Sequence, residues 1–240
     1  MKISGEAFYL SSKKYGESSC IIFIFSRDNG LIKGFSRLSK NKKIPFSNLD
    51  KIDFTWSSRN QDGLGFLDLD LDNINLNKNK SFLFFLIKAT ASELCLRLLA
   101  PQQTNIEIYD ELESLVNFNL SDSKALISKY IFWEKNFLKF NGYGLNIEEC
   151  SVSGANKNIY YISPKTGNAV SYEVGKKYEK KLFKIPNCFK ESNNKYDIHD
   201  YLNGLKILEF FIKKNFEYST YNLIFRKQLI TKIYSLSSLS

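Results

Sequence analysis

The chain has 240 residues, 43% of them hydrophobic, and its 34 basic and 25 acidic side chains leave a net charge of +9. Such a composition excludes a disordered tail, because it can bury the core of one large domain or of two to three small ones. The basic excess points to an anionic partner, either nucleic acid or an anionic membrane face.

Most of the basic residues are lysines, in a chain also rich in Asn, Ile and Phe, so the position of the charge says more than its sum. Residues 1–78 carry a surplus of three positive charges, residues 79–140 none and residues 141–240 six. From residue 3 to 71, short β-patterned runs alternate with turn chemistry at Tyr15-Gly16, Asp28-Asn29-Gly30, residues 57–60 and Asp62-Gly63. This predicts strands over 3–12, 19–26, 31–38, 47–57 and 64–71. Five strands in so short a segment predict a small closed barrel of the OB or SH3-like type.

The composition changes at residues 77–80, and the remainder reads as mainly helical. The first helix, from Phe82 to its stop before Pro101, is apolar on nearly every side and should be central. Its most apolar window still holds Lys88, Glu93 and Arg97, and each charge near a bilayer centre costs about 2.5–3.5 kcal/mol, so it reads as core and not as a membrane span. A second helix is predicted over 105–118, and a third from the Ser121-Asp122-Ser123 cap to the Asn141-Gly142 stop. Pro164-Lys165-Thr166-Gly167 between residues 159–163 and 168–172 predicts a hairpin. Ile198, Leu202, Leu205, Leu208, Ile212 and Phe216 follow the helical period over 197–217, a last helix is predicted over 221–234, and the serine-rich end should fray. The expected fold is α+β: a five-stranded OB-type barrel over 1–78, then a mainly α-helical domain over 79–240 with a small β-hairpin insertion at about 149–175. Cys20, Cys95, Cys150 and Cys188 form no CxxC pair, and with no leader peptide evident they read as reduced thiols in a cytoplasm.

Catalytic chemistry finds little support. His199 is the single histidine and reads as a capping or surface residue, and the usual nucleotide-binding, hydrolase and metalloprotease motifs are missing. Asp68, Asp70 and Asp72 share one strand face and could bind a divalent cation, yet they lack the kinked loop and distal Glu of a calcium site, so a solvated face is the expectation.

The basic and aromatic pattern is stronger. Six basic residues (Arg27, Lys33, Arg37, Lys40, Lys42, Lys43) against the single acid Asp28 occupy residues 27–43. The period of two puts Leu31, Lys33, Phe35 and Arg37 on one side of a strand, a row of charge, ring and charge suited to phosphate contact and base stacking. Of Phe23 and Phe25, one is expected in the barrel core. The DNA-binding set predicted from these residues is Lys13, Lys14, Arg27, Lys33, Phe35, Arg37, Lys40, Lys42 and Lys43. Lys176, Lys177, Lys180, Lys181 and Lys184 could extend the track.

Taken in order, these residues match a known family. Ala7-Phe8-Tyr9-Leu10, Tyr15-Gly16-Glu17-Ser18-Ser19, Phe25-Ser26-Arg27-Asp28-Asn29-Gly30-Leu31 and Lys33-Gly34-Phe35-Ser36-Arg37 open the match. It continues through Glu93-Leu94-Cys95-Leu96-Arg97-Leu98-Leu99, Ile108-Tyr109-Asp110-Glu111-Leu112 and Asn141-Gly142-Tyr143-Gly144-Leu145, then Tyr160-Tyr161-Ile162-Ser163-Pro164-Lys165-Thr166-Gly167. The chain resembles the RecO recombination mediators of bacteria over essentially its whole length, and its alphaproteobacterial branch in particular. The resemblance implies a non-enzymatic cytoplasmic protein, nucleoid-associated during repair. Such a protein binds single- and double-stranded DNA, anneals complementary strands, pairs with RecR, engages the acidic tail of single-stranded DNA-binding protein (SSB) and so helps load RecA. Lys129, Lys135 and Lys139, near Phe132, Trp133 and Phe137, are the candidates for that tail. Many members carry two CxxC pairs at the hairpin, a four-thiolate zinc site. Here the first reads Cys150-Ser151-Val152-Ser153 and the second has Ser171 and Val174 at its ends, so no zinc is expected and packing of Tyr160, Tyr161 and Ile162 should hold the hairpin. The alternatives are a protein-interaction adaptor whose basic barrel and helical groove bind acidic partners without direct DNA function, and, less favoured, a nuclease using Asp68, Asp70 and Asp72.

Overall fold

The computed structural model describes residues 1–37, 46–59, 64–70, 81–118, 122–190, 196–216 and 222–237. Strands β1 (Lys2–Lys14), β2 (Ser19–Ser26), β3 (Gly30–Arg37), β4 (Lys51–Ser57) and β5 (Gly65–Leu69) close into a barrel in the order β1-β2-β3-β5-β4. All pairings are antiparallel except that of β3 with β5, and β4 returns to β1 to complete the circuit. The N-terminal OB-like barrel read from the sequence is therefore present. Alternate residues of every strand turn inward, and Tyr9, Ile22, Ile24, Ile32, Phe54, Trp56 and Leu67 are among those that fill the interior.

Closure of the barrel depends on two glycines and one indole. Gly34 and Gly65 face each other across the β3–β5 pairing, and both lie against Trp56. A Cβ on Gly34 would come 2.5 Å from that of Leu67, and one on Gly65 would come 2.4 Å from the indole nitrogen. The same nitrogen donates to the Lys33 carbonyl at 3.1 Å. Trp56 thus takes the space that two side chains would need, and it ties β4 to β3 where Phe35 and Phe66 become neighbours.

One outer flank of the barrel is covered by helices. α1 (Phe82–Leu98) is capped by Ser81, whose hydroxyl accepts from the Phe84 N–H, and most of its residues are buried, as its all-round apolar sequence requires. A register shift in β1 between Tyr9 and Ser11 takes Leu10 out of the ladder, and its carbonyl accepts from Ser92 of α1 at 2.7 Å and from Asn48. Lys88 of α1 donates to Asp50 at 2.9 Å with both side chains almost fully buried. Removing either partner would strand a charge in the core, at a cost of about 3–5 kcal/mol. α2 (Ile106–Val116), capped by Asn105, lays Tyr109 over Phe8 and Phe25 at ring separations of 4.8 and 6.0 Å.

By contacts the chain forms two compact units, residues 1–119 with Leu223–Arg226, and residues 120–222 with 227–240. In the second, α3 (Ser123–Leu138) starts at Asp122, which accepts from the N–H groups of Lys124 and Ala125, and runs into a wider turn, Lys139–Tyr143, that Gly142 ends at φ +85°. The hairpin is present as β6 (Ile159–Ile162) and β7 (Ala169–Ser171), and a third strand not anticipated from sequence, β8 (Phe183–Lys184), pairs with the other edge of β6. A short helix, α4 (Tyr172–Gly175), and two 3-10 turns connect it onward. Tyr161 and Ile162 are buried as expected, but Tyr160 is 42% exposed, because a register shift between Ile159 and Tyr161 takes it out of the β6–β7 ladder. α5 (Ile198–Asn215), capped by Asp197, and α6 (Ile224–Leu236) complete the helices, and His199 is exposed in the first turn of α5. Among the described residues no helix is long and apolar enough to cross a membrane.

Candidate nucleic-acid interface

The outer face of β2, β3 and β5 is where the strand pattern, the register and the charge come together. Lys33 and Arg37 are exposed and Phe35 is half-buried between them, as the period of two predicts. Ile21 lies directly opposite Phe35 on β2, and Phe66 directly opposite on β5. Lys13 pairs with Ile21 from the β1 side, so Lys13, Ile21, Phe35 and Phe66 form one row across four strands. Phe23 and Lys33 pair beside it, and Ser19 and Arg37 on its other side. Tyr15, in the turn between β1 and β2, is 57% exposed and meets the Phe35 ring edge-on at 5.8 Å, while Phe66, 43% exposed, lies 6.4 Å from Phe35. The result is a run of three accessible rings, Tyr15, Phe35 and Phe66, flanked by Lys13, Lys33 and Arg37. Among the described residues, none of these three cations is in an ion pair.

Aromatic rings offer a sequence-tolerant stacking surface for unpaired bases, and cations beside them reach the phosphates. On OB barrels the face of strands 2 and 3, with the loops between strands 1 and 2 and strands 4 and 5, is the oligonucleotide-binding side. The rings here occupy that position.

Other predicted residues fall elsewhere. Lys14 is exposed but lies opposite the inward-facing Cys20, on the other side of the strand from Lys13. Arg27 is in the turn at the far end of the β2–β3 hairpin, where it grips Asp110 of α2 with two hydrogen bonds of 3.0 and 3.1 Å. That guanidinium holds the Asp110 carboxyl below its ordinary range. Lys40, Lys42, Lys43 and Asp72 lie outside the described residues. Leu31, placed by alternation beside Lys33, is buried and bridged to Pro101, because the segment after α1 covers that end of β3. Neither Phe23 nor Phe25 enters the barrel core; Phe25 is fully buried, but on the outer side under Tyr109, and Phe23 is half-buried on the open face. Asp68 is exposed opposite Thr55, and among the described residues no cluster of three metal-ligating side chains forms.

In the second unit Trp133 and Phe137 are core residues. Lys135 is spent locally: its ammonium donates to the Phe189 carbonyl at 2.7 Å and lies 4.5 Å from the centre of the Phe132 ring, and burial pushes its pKa down. Lys139 is exposed and Lys129 half-buried. The sequence reading missed Tyr15 and Phe66 as members of the aromatic run. Tyr15 had a signal in the turn it opens; Phe66 had none, because only the parallel β3–β5 pairing brings it to Phe35.

A closed five-stranded barrel with this strand order is of the OB type. Residues 1–70 match the family model described as Recombination protein O N terminal, and residues 86–217 match Recombination protein O C terminal. The DNA repair protein RecO of Ehrlichia chaffeensis is 31% identical over 97% of this chain and 98% of its own length. Those of Wolbachia pipientis from Culex pipiens and of Rickettsia canadensis are 28% and 29% identical, each over 89% of this chain and over 91% and 89% of their own lengths. The chain belongs to the RecO family.

Proposed function

We propose that this protein is a recombination mediator that holds single- and double-stranded DNA on the outer face of β2, β3 and β5, anneals complementary strands, and assists RecA loading on SSB-coated DNA. Family membership supports the general role, a mediator in DNA repair rather than a catalyst. The observation that carries the finer reading is the row Lys13, Ile21, Phe35 and Phe66 with Lys33 and Arg37 beside it. Lys14, Lys40, Lys42 and Lys43 are proposed as further phosphate contacts on their charge and sequence position alone. RecR and the SSB tail are the partner proteins it implies, the latter through the exposed Lys139 more than Lys135, with Lys129 as a further candidate, and the cytoplasm is where they would meet. The deciding experiment is annealing of two complementary labelled strands, with and without SSB. Acceleration in both arms is expected, and it should fall sharply in a Phe35→Ala, Phe66→Ala variant. A protein that binds an acidic peptide yet leaves annealing at the spontaneous rate is the adaptor instead.

For the hairpin we propose a fold held without zinc. The donor set does not fit a four-thiolate site. The polar groups around the Cys150 thiol are the Ser153 hydroxyl and the backbone N–H groups of Ser171, Ser153 and Val152. Burial alone would raise the thiol, but these donors bring it down to about 6. Val174, at the end of the former second pair, packs with Tyr161, Val170 and Leu182 around the Cys150 side chain. Polar backbone groups and an apolar cluster thus surround the one thiol of the hairpin, which supports packing rather than a metal as what holds it. Metal analysis of the purified protein should find no stoichiometric zinc, and an equivalent that survives dialysis against chelator would overturn the proposal.

A further inference from the structure

The C-terminal unit has a groove of about 440 Å³ between β6, β8 and the start of α5 that the barrel site does not use. We propose that it is a second binding surface for single-stranded nucleic acid, separate from the barrel face. Tyr160 and Phe183 contribute rings to it, Lys184, Lys190 and Lys206 bring positive charge, and Asn203 adds an amide.

Tyr160 is 42% exposed yet fixed in its plane, since Tyr161 and Tyr172 meet it edge-on at 4.8 and 5.5 Å. A ring braced in this way offers a face to a base without first losing side-chain freedom. The Lys184 ammonium lies 6.0 Å from the Tyr160 ring centre, and Lys190 and Lys206 are exposed. The one carboxylate in the groove, Asp200, accepts from the backbone N–H groups of Asn187 at 2.8 Å and Cys188 at 2.7 Å. Its charge is therefore turned toward the protein, and among the described residues no acid is paired with the three lysines, of which Lys190 donates to the Asn187 side-chain carbonyl at 3.5 Å. The same chemistry continues outside the groove, where Lys176 lies 5.6 Å from the ring of the exposed Tyr172.

A strand with unpaired bases suits this arrangement better than an acidic peptide with an apolar end. The peptide needs an enclosed apolar pocket for its end, whereas here lysines and amides line much of the wall and the exposed ring is a flat stacking surface. A duplex keeps its base faces stacked internally and has none to give to Tyr160. The inference goes beyond the barrel reading, since a chain with two strand-binding surfaces can hold two strands at once.

The test uses the full chain with a thymine oligonucleotide carrying photoreactive iodouracil, in the parent, in a Lys33→Glu, Arg37→Glu barrel variant, and in a Tyr160→Ala, Lys190→Glu, Lys206→Glu groove variant. Cross-linked peptides containing Tyr160 or Phe183 are expected in the parent and in the barrel variant, and not in the groove variant. In the barrel-variant background, Tyr160→Ala should weaken binding about 5- to 100-fold, and losing two lysines should reduce the salt slope by about 1.4. All three side chains are exposed, and thermal melting equal to the parent confirms that the variants fold. If cross-links form only on the barrel and the groove variant binds like the parent, the groove proposal falls and the barrel reading stands. Cross-links only in the groove uphold this proposal and sink the other. Loss of binding to an acidic peptide, with oligonucleotide binding intact, makes the groove a peptide site and overturns the proposal.

Discussion

Basic side chains occupy two flanks of the same barrel, and they differ in what neutralises them. On the flank covered by α2, Lys51 sits between Glu6, at 2.8 Å, and Glu113, with its ammonium 5.7 Å from the Phe8 ring and 6.0 Å from that of Tyr109. Burial works against its charge, but the bonds to Glu113 and Glu6 outweigh it and raise the pKa. Arg27 is likewise committed to Asp110. On the open flank Lys13, Lys33 and Arg37 stand beside aromatic rings, and among the described residues no acid is paired with them. Sequence charge counts all five alike. Structure separates cations that hold helices to the barrel from cations left to meet an external anion.

Reversing charge on each flank is the strongest way to break this comparison. The Lys33→Glu, Arg37→Glu variant should bind a single-stranded oligonucleotide roughly tenfold or more weakly, with a salt slope lower by about 1.4. Arg27→Gln should leave the slope at the parent value. Salt-titrated fluorescence anisotropy measures both, and an equal fall in slope for Arg27→Gln would place Arg27 with the open flank.

How far this separation was legible in the sequence differs residue by residue. The exposed row of Lys33, Phe35 and Arg37 followed from alternation, since a strand admits only two faces. The burial of Leu31 and Phe25 did not, because it depends on which outer face a later helix covers, and nothing in β2 or β3 encodes the arrival of Tyr109 or Pro101. Phe66 was invisible for a related reason: parallel pairing of β3 with β5 is fixed by Gly34, Gly65 and the indole of Trp56, three residues far apart in the chain. The hairpin was read from its turn, whereas β8 is two residues long and has no pattern of its own. The capped helices were the most legible elements, because Asp122, Asn105 and Asp197 each mark a start by local chemistry alone.

Stability separates the flanks in the opposite sense. Lys51→Met removes the cation between two carboxylates and from over two rings, and should cost on the order of 1 kcal/mol, a modest figure because water screens a partly exposed pair. Lys33→Met touches no such partner and should change stability by less than about 0.5 kcal/mol. Urea denaturation of the two variants reads the difference directly. If Lys33→Met proves the more destabilising, Lys33 has a structural role and the open flank loses its central cation.

The smallest effect is the most local, and it tests whether Arg27 is permanently committed. Asp110 is held below the ordinary carboxylate range by the Arg27 guanidinium, so what the pair contributes to stability is present above the unfolded value of about 3.9 and is lost as the pH falls through the lower folded value. Both side chains are about half exposed, 49% and 50%, so melting curves would barely register the pair. Carboxyl-detected NMR will register it, with an Asp110 midpoint below about 3.9 in the parent that returns toward that value in Arg27→Gln. The same titration in the presence of oligonucleotide then decides the matter. A midpoint unchanged by the ligand keeps Arg27 on the covered flank. A midpoint that rises as in Arg27→Gln means that phosphate has drawn the guanidinium away, and the division between the flanks becomes a competition between Asp110 and DNA for one side chain.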